Sequence, residues 1–174
     1  ITKKPDASGF DYGADLEYGS ITDGATDKSL EAFVNMPIGS NMAARLSLYN
    51  VKDGGWIDNK KASYSYQNAR GYTIDNTTPP YNVAADDYND SRKEGSRLRI
   101  SADFNDVNLD LSFLSQESYY NGSYESDVLT DDQSATMPPR SNTRFSKERY
   151  DDKFDQISAT LSGSINDDID FVLN

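Results

Sequence analysis

The chain has 174 residues, of which 17 are basic and 29 acidic, for a net charge of −12. That balance argues against nucleic acid as a partner, because phosphate backbones are held by clustered Lys and Arg. It contains neither Cys nor His, which excludes disulfides, thiolate metal sites, thiol nucleophiles and a Ser-His-Asp arrangement. No catalytic residue, cofactor or metal site is predicted, and the chain is not expected to be an enzyme.

The first predicted element is GFDYGADLEYG, Gly9 to Gly19. Phe10, Tyr12, Ala14, Leu16 and Tyr18 alternate with Asp11, Gly13, Asp15 and Glu17, which makes one apolar and one polar face on a strand. The same alternation returns along the chain. Leu30, Ala32, Val34 and Met36 share one parity, and Met42, Ala44, Leu46 and Leu48 share the next. Leu98, Ile100, Ala102 and Phe104 oppose Arg97, Arg99, Ser101 and Asp103. Val107, Leu109, Leu111 and Phe113 form a fifth strand, Ile157, Ala159, Leu161, Gly163 and Ile165 a sixth, and Ile169, Phe171 and Leu173 begin a seventh. No amphipathic helix is predicted. No apolar run approaches the 18 or so residues of a transmembrane helix.

Connections alternate strictly between short and long. The turns Gly39–Asn41, Asn105–Asp106 and Asn166–Asp168 are rich in Asn, Asp and Gly, as tight hairpins require. The remaining links are longer: the stretch ITDGATD after the first strand, Gly55 to Lys93, and Tyr119 to Arg149. All short turns therefore fall at one end of the sheet and all long loops at the other. Two architectures carry such strands. In a secreted or periplasmic β-sandwich with a binding role, the apolar parity faces a second sheet. In a membrane barrel it faces lipid. Runs of about 8–10 residues, near what a tilted strand needs to cross a bilayer, and the one-sided long loops favour the barrel.

Two stretches resemble a known family. ITKKP, Ile1 to Pro5, is similar to the end of the plug domain of TonB-dependent outer-membrane receptors. FVNMPIGSNMAARLSLYNVKDGGWIDN, Phe33 to Asn59, resembles that family's early-barrel segment. The residues that match are Asn35, Pro37, Ile38, Ala43, Arg45, Leu46, Ser47, Tyr49, Gly55, Trp56, Ile57, Asp58 and Asn59. The resemblance implies an all-β fold, an antiparallel up-and-down transmembrane β-barrel of 22 strands of which this chain forms about seven. Residues 1–8 would be the end of the plug or its linker, and residues 9–174 the N-terminal part of the barrel. It implies location in a Gram-negative outer membrane and active uptake of a small-molecule nutrient: a siderophore, cobalamin or an oligosaccharide. The implied partners are outer-membrane lipid and lipopolysaccharide, and the TonB complex acting through the rest of the plug. Both chain ends read as cuts in a longer protein.

On a barrel, Phe10, Tyr18, Tyr49, Phe104, Phe113 and Phe171 are placed near strand ends, where aromatic girdles sit. The segment after the third strand is the main candidate for ligand contact. It carries Tyr64, Tyr66, Tyr72, Tyr81 and Tyr88, each with a stacking face and a hydroxyl. The competing reading has these tyrosines packing among themselves over the barrel mouth. Trp56, the single Trp, is expected to be structural or interfacial. The acidic pairs Asp131-Asp132 and Asp151-Asp152 and the turn Asp167–Asp170 match no calcium loop and read as solvated charge.

Overall fold

A computed structural model describes residues 3–60, 65–67, 69–75, 84–126, 140–144 and 147–174. Eleven strands follow one another: β1 (Asp11–Ser20), β2 (Thr26–Pro37), β3 (Met42–Asp53), β4 (Asp58–Asn59), β5 (Ser65–Gln67), β6 (Thr73–Asp75), β7 (Ser91–Phe104), β8 (Val107–Asn121), β9 (Ser141–Asn142), β10 (Arg149–Asn166) and β11 (Ile169–Leu173). No described residue is helical. Seven strands form one sheet in the order β1-β2-β3-β7-β8-β10-β11, with every neighbouring pair antiparallel. These are the seven predicted strands, paired in chain order. The small strands belong to the long connections: β4 pairs with β9 in parallel, and β5 pairs with β6 as a hairpin.

Turn chemistry accounts for the tight end. Gly39, with φ of 78°, sits between β2 and β3, where a left-handed residue reverses the chain. Asn105, with φ of 59°, does the same between β7 and β8; Asn tolerates that region better than most residues. Asn41 fastens the first turn to its neighbour: its side-chain amide donates to Asp103 O at 2.7 Å, while Asp103 N–H donates to Asn41 O at 2.7 Å.

Register places the two parities on opposite faces. Tyr12, Val34, Leu46, Leu98, Phe113 and Ile157 form one cross-strand row. Asn35, Arg45, Arg99, Ser112 and Ser158 form the adjacent row on the other face. The apolar row is the open one: Leu46 is 37% exposed, Leu98 40% and Ile157 82%, whereas Arg45 on the polar face is 8% exposed. Among the described residues only Ala43, Ile57 and Ala102 are buried hydrophobics, while the largest fully buried side chains are Asn35, Asn59, Asn89, Asn142 and Ser118. The molecule is thus one layer whose apolar side is uncovered and whose polar side holds Asn35, Arg45 and Ser118 buried.

The chain's own N-terminal stretch helps fill it. Asn35 receives a hydrogen bond from Asp6 N–H at 2.9 Å and donates to Asp6 O at 2.8 Å and Gly9 O at 2.9 Å. Lys4 reaches Asp110 on β8 at 3.6 Å, so this stretch crosses the polar face from β2 to β8. Asp110 also accepts a two-pronged bond from Arg99 at 2.8 and 2.9 Å. Gly13 leaves room for the Phe33 ring, and the Arg45 guanidinium lies 3.7 Å from that ring's centroid.

Two expectations change. Tyr49 is not part of an outer aromatic girdle; it points to the polar face, over Gly95, and its hydroxyl donates to Gln116 Oε1 at 2.6 Å. The strands at the long-loop side also exceed the predicted runs. β7, β8 and β10 are 14, 15 and 18 residues long. Their extensions, about 91–97, 114–121 and 149–156, are mostly polar on both faces, so no alternation marks them. At about 3.3 Å per residue they rise roughly 25 Å beyond the apolar rows.

Asn35→Ala should release the N-terminal stretch at a cost on the order of 1–3 kcal/mol, the penalty for stranding its polar partners. Amide exchange at Asp6 should accelerate while protection in β8 and β10 is kept; unchanged exchange at Asp6 would contradict this account of Asn35.

Candidate functional site

At the long-loop end three connections are tied into one structure. The tie begins at Gly54 and Gly55, just after β3. A Cβ on Gly54 would press on the Ala25 backbone, and one on Gly55 would overlap the Asp87 carbonyl, so both positions require the bare backbone. That close approach lets Ala25 N–H donate to Gly55 O at 2.8 Å and Gly54 N–H donate to Asp27 Oδ1 at 2.7 Å. The loop after β1 is thereby held against the end of β3.

Four Asn and Asp side chains then stand in for backbone. Asn89 Oδ1 accepts from both Trp56 N–H and Ile57 N–H, each at 2.7 Å. Asp58 Oδ1 accepts from Asp87 N–H at 3.0 Å, in a turn where Asp87 has φ of 52°. Asn59 uses its side chain to continue the parallel β4–β9 ladder, donating to Arg144 O at 2.9 Å and accepting from Arg144 N–H at 2.6 Å. Asn142 is fully buried beside it and donates to Glu125 O at 3.3 Å. Such amides satisfy groups that a two-residue ladder leaves open. Arg140 completes the tie, donating to Thr22 O at 2.9 Å and pairing with Asp23 at 2.8 Å.

Of the five predicted tyrosines, Tyr88 belongs to this tie. Its hydroxyl accepts from Glu148 N–H at 2.7 Å, and its ring lies over Gly122. It joins two loops. Tyr72 is 67% exposed beside the β5–β6 hairpin, open to a ligand from outside. Tyr66 lies in β5, but its side chain is outside the described set; Tyr64 and Tyr81 lie outside the described residues. Trp56 packs on Tyr124 with ring centroids 5.4 Å apart. Asp151 and Asp152, being sequential on β10, take opposite faces and do not converge. Among the described residues no group of three acidic side chains is placed to hold a metal ion.

Sequence reasoning passed over Asn89, Asn142, Arg140 and Arg144. Their partners lie up to 118 residues away, and nothing local marks a two-residue parallel pair. Below the tie, on the polar face, Arg97, Arg99, Ser101, Asp110, Ser112, Ser158, Thr160 and Ser162 line a shallow basin of about 310 Å³. It offers hydroxyls and guanidinium groups, and it is open to water.

The arrangement defines a class: an all-β protein built on one seven-stranded antiparallel sheet, with an uncovered apolar face, a polar face and a braced cluster of loops at one end. Comparison with protein-family models, with curated proteins and with solved structures finds no match for the chain.

Two outcomes test the tie. Gly55→Ala should displace the turn at Asp87 and detach the loop after β1 from β3, seen as faster amide exchange at Ala25 and Tyr88. Asp58 gives a pH dependence. Its carboxyl is held below the ordinary range, first by the Lys60 hydrogen bond and next by Asp87 N–H, with partial burial acting the other way. A depressed carboxyl contributes stability above its ordinary pKa of about 4 and loses it as pH falls through the lowered value. Lys60 is held above its ordinary range by the same bond, so its share is complete below the ordinary lysine value and lost only as pH rises past the raised one. Protection of the Asp87 amide should therefore fall away below pH about 4, and Asp58→Asn, which keeps an acceptor but no charge, should flatten that dependence.

Proposed function

We propose that this chain is part of the wall of a TonB-dependent outer-membrane receptor, a barrel for active uptake of a small-molecule nutrient such as a siderophore, cobalamin or an oligosaccharide. In this reading the seven long strands are part of a 22-stranded barrel that continues past β1 and β11, the two margins of the sheet. Residues 1–8 are the end of the plug, and the TonB complex acts through the remainder of it.

The observation that carries the reading is the polarity of the two faces. On the uncovered side, β3 presents Met42, Ala44, Leu46 and Leu48, β7 presents Leu98, Ile100, Ala102 and Phe104, and β8 presents Val107, Leu109, Leu111 and Phe113. No charge or hydrogen-bonding side chain interrupts this band. Its height is about 20 Å along each strand, rising toward 27 Å on β1 at 3.3 Å per residue, close to the roughly 25 Å apolar belt of outer-membrane barrels. A face of this size with no second layer against it suits hydrocarbon, where a closed ladder also satisfies every backbone group without water. Phe10, Tyr18, Phe104 and Phe113 lie at the band's margins and are exposed, as interfacial aromatics are. The likeness of Phe33–Asn59 to the family's early barrel points the same way. The crossing of residues 3–9 over the polar face suits a plug strand leaving the lumen. In this reading the long-loop end, with its braced loops, is the part that meets cargo outside the cell.

The absence of native Cys makes the test clean. Single labels at Leu46→Cys, Leu98→Cys and Leu111→Cys in the full chain, reconstituted in bilayers, should collide with dissolved oxygen in preference to an aqueous nickel chelate. Labels at Ser47→Cys, Ser112→Cys and Ser158→Cys should show the reverse. Apolar-parity labels shielded from both reagents would mean a dry protein interior, the β-sandwich arrangement, and would end this reading.

A further inference from the structure

Arg45 is a buried cation on the polar face with no carboxylate to pair with. Its setting begins at Gly13, which faces Phe33 on β2, which in turn faces Ser47 on β3. The Phe33 ring lies across Gly13, where a Cβ would come within 2.7 Å of it. Arg45, two residues before Ser47, reaches along β3 and stacks its guanidinium on that ring, 3.7 Å from the centroid. Arg45 is 8% exposed, and its Nε is buried with no hydrogen-bond partner. A ring face attracts the charge but does not replace acceptors for N–H groups that lie in the guanidinium plane. Directly opposite in the register stands Arg99, whose charge is met by Asp110. Lys4 takes the same carboxylate. Among the described residues no carboxylate lies within ion-pair distance of Arg45. A buried charge left in that state is costly.

Arg45 borders a pocket of about 370 Å³ whose lining also includes Asp15, Glu31 and Tyr49. Asp15 and Glu31 are cross-strand partners on β1 and β2, two like charges directly opposite one another, an arrangement that destabilises a sheet. Both are exposed, and among the described residues no cation lies within ion-pair distance of either. Glu31 is two residues along β2 from Phe33. The acidic pair therefore sits roughly 7 Å along the strands from the ring that carries the guanidinium, at about 3.3 Å per residue. Tyr49 faces Glu31 on β3. Its hydroxyl is committed to Gln116, so it gives the pocket an aromatic wall. The pocket has a positive end, a negative end and an apolar side.

We infer that this pocket binds a small zwitterion of the amino-acid class, its carboxylate received by the Arg45 guanidinium and its ammonium by Asp15 and Glu31. A carboxylate matches the planar fork of an Arg side chain and supplies the acceptors that Arg45 lacks. An ammonium between Asp15 and Glu31 relieves their repulsion. The two charges of an α-amino acid are a few ångströms apart, and with one ion contact at each end they span a gap of this order. A polyanion would meet the acidic pair and a polycation would meet Arg45, so the pocket favours an occupant that carries both charges. The exposed carboxylates mark the ammonium end as the way in. The site belongs to the polar face alone. It goes beyond the barrel reading and does not depend on what covers the apolar face.

The test uses the full chain in neutral detergent, titrated with L-leucine, with N-acetyl-L-leucine, which lacks the ammonium, and with L-leucinamide, which lacks the carboxylate. L-Leucine should bind best, and each blocked analogue about tenfold more weakly, the effect of one lost charge-assisted contact. Arg45→Gln should weaken L-leucine and N-acetyl-L-leucine about tenfold without weakening L-leucinamide. Asp15→Asn/Glu31→Gln should weaken L-leucine and L-leucinamide without weakening N-acetyl-L-leucine. Asp11→Asn/Glu17→Gln removes the same charge from the same face outside the pocket and should leave all three unchanged. The Arg45 Nε–H resonance should move with L-leucine and N-acetyl-L-leucine and stay in place with L-leucinamide. Should Arg45→Gln fail to fold, Arg45→Lys, which keeps the charge but not the planar fork, carries the same comparison. A folded wild type that ignores L-leucine at millimolar concentration would overturn the inference, as would equal affinity for the three probes. Either failure leaves the barrel reading standing, because the collision labels at Leu46, Leu98 and Leu111 report on the opposite face of the sheet.

Discussion

One residue of slip of β7 along β3 would turn Arg99 to the apolar side and Leu98 to the polar side while Arg45 and Leu46 stayed in place. Side chains alternate with period two, so no partial slip exists. Every other feature depends on this register being held. It is held at both ends and in the middle. Asn41 and Asp103 exchange two bonds at the short turn. Ser91 Oγ donates to Asp53 at 2.8 Å where the strands part. Between them, Tyr49 fits over Gly95 only when the two are opposite, and its hydroxyl reaches across β7 to Gln116 on β8. A shift by one would put the ring against Ser96 or Glu94 and break the bond to Gln116.

With the register held, cohesion comes from the polar face and the backbone ladder rather than from an apolar interior. Arg99 and Asp110, Asn35 and the N-terminal stretch, and the stack of Arg45 on Phe33 fill that face with paired groups. Such networks are strong where water is scarce and costly when one partner is lost. The apolar face adds little side-chain packing of its own, because its residues look outward. Its contribution depends on what surrounds it. Against acyl chains it is matched; against water it is a standing liability, increased by open margins at β1 and β11.

Much of this was legible in the sequence, for a physical reason. Wherever one face is apolar and the other polar, alternation names both the strand and its facing, and Asn, Asp and Gly mark the turns between. All seven strands of the sheet and the three short turns were readable on those grounds. Legibility stops where the two faces stop differing. The upper halves of β7, β8 and β10 carry Ser, Arg, Lys, Glu, Tyr and Asp on both sides, so they look like loop although they are paired strand. Tyr49 was misplaced because aromatic character suggests a girdle, while parity, which it shares with Arg45 and Ser47, puts it on the polar face. Tyr88 is tied by Glu148 N–H, 60 residues on, a link that no local pattern announces. The β4–β9 pair is two residues long and joins segments some 80 residues apart, beyond any local pattern.

The charge distribution follows from the same two-sidedness. Glu17 and Glu31 share the polar parity of β1 and β2 with Asp11 and Asp15, while the loops take most of the remaining acids. Asp11, Asp15, Glu17 and Glu31 are exposed there, while Asp110 is paired with Arg99 and Lys4. Five cations, Lys28, Lys52, Arg92, Arg149 and Lys153, are on the outward face toward the long-loop end, where Glu94, Glu117, Asp151 and Asp155 share that face. Only Lys28 adjoins an apolar residue on that face of its own strand, Leu30, where a long stem covers apolar surface while its head reaches polar surroundings. The band's other margin, at the short turns, is built differently: Phe104, Val107, Gly163 and Phe171 form its last row, with Asp103, Asn105 and Asp106 beside it and no cation among them. The two margins differ in charged residues as well as in loop length, so the sheet is unlike at its two ends as well as on its two faces.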